Sequence, residues 1–520
     1  MFKTKWIYLV LMACCAFAVS ARAQTNAVRA QTNEMLLLDL LVKKGYVTQN
    51  EAQQLKAESD NITTNQGNYS KWKLSDSIKS VELFGDVRFR FENRVTRTPT
   101  YGAVELNRYR YALRFGLRGE LTNNFYYGFR LDTAANPRSP WVTFATSSSG
   151  APYQGPFGKS ASGIGIGEIY LGWHPNDHFD FMLGKMPNPL FTTAMVWDSD
   201  ILPEGAAERF NYEIGRAQFF STFGEFLYAD VNPTTSTPFL FSSTDLGHNG
   251  NEPLLVAMQG GVKYDASKNV NFKVAGALYE YFGHGFVTPT NGGLEGGSGF
   301  SDAYVGEGAG GLVPGFPFPG ASGFPTQGED GFYYNQTGIN DLLVMEFPFE
   351  LNIKMGKHRM KLFGDFAENL DGSKRAADAV AAGANTSLYF YPIHIPVKKN
   401  DNHAYQLGIA FGNGDELGQV YGSNLKRGAW ETRLYWQHIE QYALDPNLVD
   451  SDFFEGRENL EGFYAALAYC FTDDVVATLR YGYASRIDRK LGTGGSNQDI
   501  PQVNPIDQYS LLQLDLGLRF

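Results

Sequence analysis

Three observations predict an all-β fold, a transmembrane antiparallel β-barrel of about sixteen strands preceded by a small N-terminal helical hairpin. From Ser80 to the C-terminus, apolar and polar residues alternate over long segments. The connections between those segments are alternately short and long. The chain opens on an export signal and closes on an amphipathic strand that ends in Phe520. Composition agrees with this. Gly supplies 57 of 520 residues, above the usual share of about 7%. Aromatics reach 14% and charged residues only 19%. A disordered chain would be poor in aromatics. A bundle of membrane helices would need repeated runs of ~20 apolar residues. The net charge of -11 argues against a nucleic-acid partner.

Residues 1–23 read as a cleavable signal peptide. Lys3 and Lys5 precede an apolar stretch from Trp6 to Val19, and Ala21-Arg22-Ala23 forms an A-x-A cleavage site before Gln24. Leu11 to Cys14 loosely resembles a lipobox, but Cys14 sits inside the apolar run. The mature chain keeps Cys470 alone, so it can form no internal disulfide. Residues 24–60 are expected to form a periplasmic helical hairpin. Met35, Leu38, Leu41 and Val42 have helical spacing, Gly45 stops the first helix, and Thr48 with Glu51 caps a second. A hairpin this small cannot bury a core alone. Its apolar face needs the rest of the chain, another copy, or the cell wall. Residues 61–79 form a polar linker, and 80–520 the barrel.

The strands follow from period two. Val81, Leu83, Val87, Phe89 and Phe91 alternate with Glu82, Asp86, Arg88, Arg90 and Glu92. Tyr109, Tyr111, Leu113, Phe115 and Leu117 alternate with Arg108, Arg110, Arg114 and Arg118. Such alternation gives each strand one apolar and one polar face. Strands of soluble sandwiches average about 5–6 residues, whereas a membrane-crossing strand needs about 9–11, and these segments are of the longer kind. Aromatic clusters such as Phe125-Tyr126-Tyr127 and Tyr481-Gly482-Tyr483 suit the two membrane interfaces. Short turns are expected near residues 122–124, 175–177, 266–268, 355–357 and 472–474. Long connections are expected over 94–106, 133–163, 186–205, 231–252, 283–338, 370–402, 441–460 and 487–506. The alternation holds only if residues 206–230 carry two strands with a turn at 213–216, which gives sixteen. The connection 412–427 is long for a periplasmic turn.

The last strand, Tyr509 to Phe520, sets Leu512, Leu514, Leu516, Leu518 and Phe520 on one face. It resembles the C-terminal assembly signal of bacterial outer-membrane proteins. The head LLLDLLVKKGYVTQNEAQQLKAE and the stretch GKMPNPLFTTAMVWDSDILPEG, Gly184 to Gly205, resemble segments of the bacterial putative-porin families. The resemblance implies an outer-membrane β-barrel channel without a catalytic residue set.

In such a barrel the polar face lines the lumen. On the first three strands that face carries Arg88, Arg90, Arg108, Arg110, Arg114, Arg118 and Arg130. A guanidinium stays charged at any working pH, so a basic wall would attract anions. The competing expectation is that these arginines only pair with Glu82, Asp86, Glu92, Glu120 and Asp132. The connection 186–205 joins an apolar run, Leu190 to Trp197, to Asp198, Asp200 and Glu204. Folded inward, it would bury Leu190, Phe191, Met195 and Trp197 and set acids against the arginines. Folded outward, it would pack on neighbouring loops or another subunit. The acids lack the spacing of a calcium loop, and no metal or cofactor is expected. His174 and His178 flank a turn, and Gly163, Gly165 and Gly167 lack a following helix, so no enzyme is expected. The expected function is passive diffusion of small hydrophilic, preferably anionic, solutes across the outer membrane. The expected partners are outer-membrane lipid, the solutes, and a homo-oligomer such as a trimer or a cell-wall contact through the hairpin. The alternatives are a substrate-specific channel for acidic sugars or phosphate-like anions, and a structural protein tethering the membrane to the wall.

Overall fold

The computed structural model describes residues 44, 75–98, 102–134, 139–144, 163–228, 254–282, 342–376, 401–489, 493 and 506–520. The chain divides into two units, Met1–Asp76 and Ser77–Phe520. The signal peptide, the helical hairpin apart from Lys44, and residues 61–74 of the linker lie outside the described residues.

The second unit is one antiparallel sheet. Its strands are β1 (Glu82–Thr98), β2 (Gly102–Glu120), β3 (Phe125–Ala134), β4 (Val142–Thr143), β5 (Gly163–Asn176), β6 (Phe179–Lys185), β7 (Glu204–Ile214), β8 (Ala217–Leu227), β9 (Leu254–Ser267) and β10 (Val270–Phe282). They continue with β11 (Leu343–Glu346), β12 (Phe349–Met355), β13 (His358–Asn369), β14 (His403–Asn413), β15 (Trp430–Ile439), β16 (Leu460–Cys470), β17 (Val475–Arg486) and β18 (Gln508–Arg519). β1 pairs with both β2 and β18, so the sheet closes and leaves no edge to template aggregation. β4 lies in the connection after β3 and pairs with β2. β11 and β12 are one stave broken at Phe347–Pro348. Pro348 has no N–H for the ladder, yet Phe347 N donates to Phe366 O at 2.7 Å and Ala275 N to Pro348 O at 3.1 Å, which bridges the break. The wall therefore has sixteen staves.

Alternation sorts the two faces. Phe89, Phe115, Ile164, Leu407 and Leu514 point outward and are exposed, whereas Arg90, Glu92, Arg94, Gln513 and Asp515 point inward and are buried. An exposed apolar exterior around a charged interior reverses the order of a soluble domain and suits a lipid surround. Outward aromatics pair at the end of the short turns: Phe125 stacks on Trp173 with centroids 6.0 Å apart, and Phe179 meets Phe210 at 4.9 Å.

Residues 206–230 do hold two strands, β7 and β8. Gly215, with φ of 62°, supplies the left-handed conformation their turn requires. The connection expected over 94–106 is corrected: β1 and β2 stay paired up to Thr98 and Gly102. The polar residues that read as a loop are ladder, because Asn93 Nδ2 donates to Glu105 at 2.8 Å and to Asn107 at 2.7 Å across the strands. The long connection between β14 and β15 remains at the end of the short turns. It folds a 3₁₀ turn, Gln419–Tyr421, against inward residues. Gly418 N donates to Glu431 at 2.6 Å, and Arg433 donates to the Tyr421 hydroxyl at 2.9 Å. At the chain's end, Phe520 and Gly85 exchange two backbone hydrogen bonds of 3.0 Å, and an added Cβ on Gly85 would lie 2.7 Å from the Phe520 ring.

Candidate functional site

Period two puts Asp86, Arg88, Arg90, Glu92 and Arg94 of β1 on the inward face beside Arg108, Arg110, Arg114 and Arg118 of β2. Each of the seven arginines singled out from the sequence has a carboxylate within 4.0 Å. Arg88 lies 2.8 Å from Asp86, and Arg118 meets Glu82 at 2.6 Å. Arg130 holds Asp132 at 2.7 Å and also contacts Glu168. Arg90 makes two bonds to Asp515, of 2.8 and 2.9 Å, and meets Asp452 at 2.6 Å. Glu92, fully buried, serves Arg94 at 3.0 Å, Arg108 at 2.6 Å, Arg90 at 3.8 Å and Arg110 at 4.0 Å. Glu92 is thus the hub of the network, while Arg90 also holds Asp452 and Asp515 and Arg94 also meets Glu455 at 3.5 Å. The Trp141 indole lies against Arg90 (4.0 Å), Arg88 (4.9 Å) and Arg110 (5.9 Å), where its ring face attracts cations.

The connection 186–203 folds inward. Met186 N donates to Pro203 O at 3.0 Å and closes its base. Leu190, Met195 and Trp197 are buried, while Phe191 stays half-buried. Trp197 packs edge-on to Phe226 at 6.0 Å and donates its indole N–H to Ile201 O at 2.7 Å. Phe191 exchanges two 2.8 Å hydrogen bonds with the Gln259 amide on β9. Thr192 donates to Glu346 on β11 at 2.6 Å, and Thr193 to Asp365 on β13. At its far end Asp200 pairs with Arg114 on β2. The segment thus touches both walls of the barrel.

A second inward segment, residues 440–459, meets the first. Asp198 N donates to Leu448 O at 2.6 Å and Asp450 N to Ala194 O at 3.1 Å. The Asp198 carboxylate accepts from Ser451 N at 3.1 Å, Ser451 Oγ at 3.0 Å and Asp200 N at 2.8 Å. Asp198, Asp200, Asp450 and Asp452 therefore crowd together, and their surroundings sort them. Burial and the neighbouring Asp200 push the Asp198 carboxyl up to about 7. Burial, Asp198 and Asp452 hold Asp450 well above the ordinary range. Burial acts on Asp200 and Asp452 too, but Arg114 and Arg88 hold Asp200 below its ordinary value and Arg90 does the same for Asp452. Guanidiniums thus favour the charged form of Asp200 and Asp452, whereas burial and neighbouring carboxylates favour the protonated form of Asp198 and Asp450.

Glu204 does not join this group. It opens β7 and pairs with Lys185 across the β6–β7 seam, because the strand begins before the acid can turn inward. Leu514, Leu516, Leu518 and Phe520 lie along β18 and past its end, where Leu514 registers with Phe91 of β1 and Leu479 of β17. The sequence reading missed Glu92 as a hub, Trp141, Asp515, and the whole segment 440–459. A signal was present: the tripeptide Asp-Ser-Asp occurs in both inward segments, as Asp198-Ser199-Asp200 and Asp450-Ser451-Asp452. Among the described residues, no group of three His, Cys, Asp or Glu is arranged to hold a metal.

No curated protein matches the chain. Among solved structures it is similar to an anion-selective porin from Comamonas acidovorans, at 9% identity over 85% of this chain and 99% of that one, with a TM-score of 0.40. It is also similar to outer-membrane expressed OmpT of Vibrio cholerae, at 9% identity over 86% of this chain and 100% of that one, TM-score 0.36. A third likeness is to a mutant of the Rh. blastica porin, at 8% identity over 85% of this chain and 100% of that one, TM-score 0.35. Residues 80–284 match the family described as "Putative porin". This match runs through the first ten strands of the closed barrel, β1 to β10.

Proposed function

We propose that the chain is an outer-membrane porin through which small hydrophilic solutes, anions preferred, diffuse passively past a charged constriction. Family and barrel support the porin itself. The observation that carries the constriction is the contact of Asp200 with Arg114, which sets an acid from the inward segment against the arginine wall. Charges of opposite sign across a narrow, poorly screened space orient polar solutes and reject apolar ones. The seven arginines, with Trp197, Asp198 and Asp200, are its lining; Glu204 is left out. No covalent chemistry is needed. The solute enters past the long connections, crosses the constriction, and leaves down its gradient. Planar-bilayer conductance with reversal potentials in a salt gradient tests this: a folded barrel without conductance refutes it and favours the tethering role.

The arginines that keep part of their side chains open, Arg88 (25%), Arg110 (11%) and Arg114 (17%), favour a second reading, a substrate-specific channel for acidic sugars or phosphate-like anions. Current that saturates and is blocked by one such solute selects it. The proposal includes cleavage after Ala23, the domain limits read from the sequence, and terminal-strand recognition through Leu514, Leu516, Leu518 and Phe520. It also includes a homo-oligomer, read by crosslinking in membranes, and a cell-wall contact through residues 24–60, read by sedimentation with peptidoglycan.

A further inference from the structure

Eight staves around the closed wall from the first, β10 presents a second set of cations that the arginine wall does not include. Lys273 shares the inward parity of Ala275, Ala277 and Tyr279 and sits three residues beyond the start of its strand, at the end of the short turns. Directly across from it on β9 is Lys263, and directly across on β12 is Glu350. Arg209 and Lys361 are close enough to act on its charge. Two of the nearby carboxylates are already engaged. Glu350 accepts from Lys361 at 2.8 Å, and Asp180 pairs with Arg209 at 2.8 Å while accepting from Tyr126 at 2.7 Å. The Lys273 ammonium instead lies 3.9 Å from the centroid of the Phe191 ring and 4.8 Å from that of Phe220. Phe191 comes from the inward segment, and its backbone is clamped to Gln259, so this face is fixed rather than incidental.

Like charges directly opposite in a sheet are destabilising, and aromatic faces compensate a cation only in part. Four cations against Glu350, Asp180 and Asp265, which shares the face of Lys263 two residues on, leave an excess of one positive charge in the lumen just beyond the inward segment. We infer that Lys273 and Lys263 form a binding step for a small oxyanion, a carboxylate or a phosphate, on the periplasmic side of the constriction. The ammonium groups donate to the oxygens, and the Phe191 and Phe220 rings hold Lys273 in place. This inference rests on the porin reading and names the solute class at one step of that path.

The test uses the full-length protein in planar bilayers, in a potassium chloride gradient, with potassium acetate or inorganic phosphate added on the side of the short turns. Both probes should lower the chloride current saturably. Lys273→Gln should raise the half-blocking concentration roughly threefold, the Coulomb factor for one unit charge about 6 Å away in water. It should also shift the reversal potential toward cations, and Lys273→Arg should restore both. Block by only one probe supports the site and names its source as carboxylate or phosphate. Lys263→Gln serves as the second variant if Lys273→Gln does not give the heat-modifiable band of a folded barrel. Equal half-blocking concentrations in wild type and the Gln variants, or no block of a conducting wild type, overturn the inference and leave the porin reading standing. A folded wild type without conductance overturns both.

Discussion

Replacing Asp200 with Asn tests whether the inward segment and the arginine wall act as one electrostatic device. Arg114 and Asp200 keep 17% and 18% of their side chains exposed, so water reaches both. Two unit charges about 3 Å apart attract by about 5 kcal/mol at an effective dielectric near 20, and desolvation takes back most of that. Orphaning one partner of a fully buried pair costs roughly 3–5 kcal/mol. With partial exposure, and with Asp132 remaining 3.9 Å from Arg114, we expect about 2 kcal/mol here. That is too little to undock a segment still held by Gln259, Glu346, Asp365 and Leu448. The variant should therefore fold and conduct, but with an uncovered guanidinium at the constriction. One added net positive charge about 6 Å from the path favours chloride and disfavours potassium by roughly threefold each in water-like surroundings, so the chloride-to-potassium permeability ratio rises roughly tenfold. Arg114→Ala should shift it the other way by a similar factor, and the double variant Arg114→Ala with Asp200→Asn should return close to wild type. Reversal potentials in a tenfold potassium chloride gradient read all three. If the single variants, shown to be folded, keep the wild-type potential, or if the double variant fails to cancel them, the pair does not face the solute path.

A pH effect follows from Asp198. Its carboxyl is held up to about 7, above the ordinary value near 3.9, so the docked segment binds a proton that the undocked one does not. Docking is therefore strongest below about pH 4 and weakens as pH rises through about 7, by up to about 4 kcal/mol shared with Asp450. Current noise should grow between pH 5 and 8.5 in wild type and lose that dependence in Asp198→Asn; a flat wild-type trace would count against it. Removing the hydroxyls of Thr192 and Thr193 by Val leaves Glu346 and Asp365 short of a donor, at about 1–3 kcal/mol each. Proteolysis between residues 186 and 203 should accelerate, and an unchanged rate would contradict the latch. Deleting Phe520, or placing Val at Gly85, should cut membrane insertion, because the first removes the two bonds to Gly85 and the second drives a side chain into the Phe520 ring. Full insertion of both would remove the closing role of that contact. Removing Thr25–Asn61 should leave heat-modifiable migration intact, and loss of the folded band would show that the hairpin nucleates or plugs the barrel.

Period two was enough to read the barrel, because a stave between lipid and lumen must alternate, and Arg88 to Phe91 or Tyr109 to Leu117 write that alternation into the chain. Stave number was legible from the order of short and long connections, even across residues 206–230. The inward parity of the seven arginines was legible for the same reason. Their partners were not. Whether Arg114 met Asp132 on its own sheet or Asp200 across the lumen depended on where an apolar connection found cover, and that is settled by packing at distances of many tens of residues. Arg90 makes the point most sharply: its acids, Asp452 and Asp515, stand 362 and 425 positions away. No local pattern encodes such a pair, since it exists only after the sheet closes and two separate connections fold into the same space. Polar ladder residues near Asn93 misread as loop for a related reason: alternation shows which face a residue occupies, but cross-strand bonding decides where a strand ends. The sequence alone determined the wall and the sign of its charges; closure of the barrel decided which charges are covered, and so where a solute meets one.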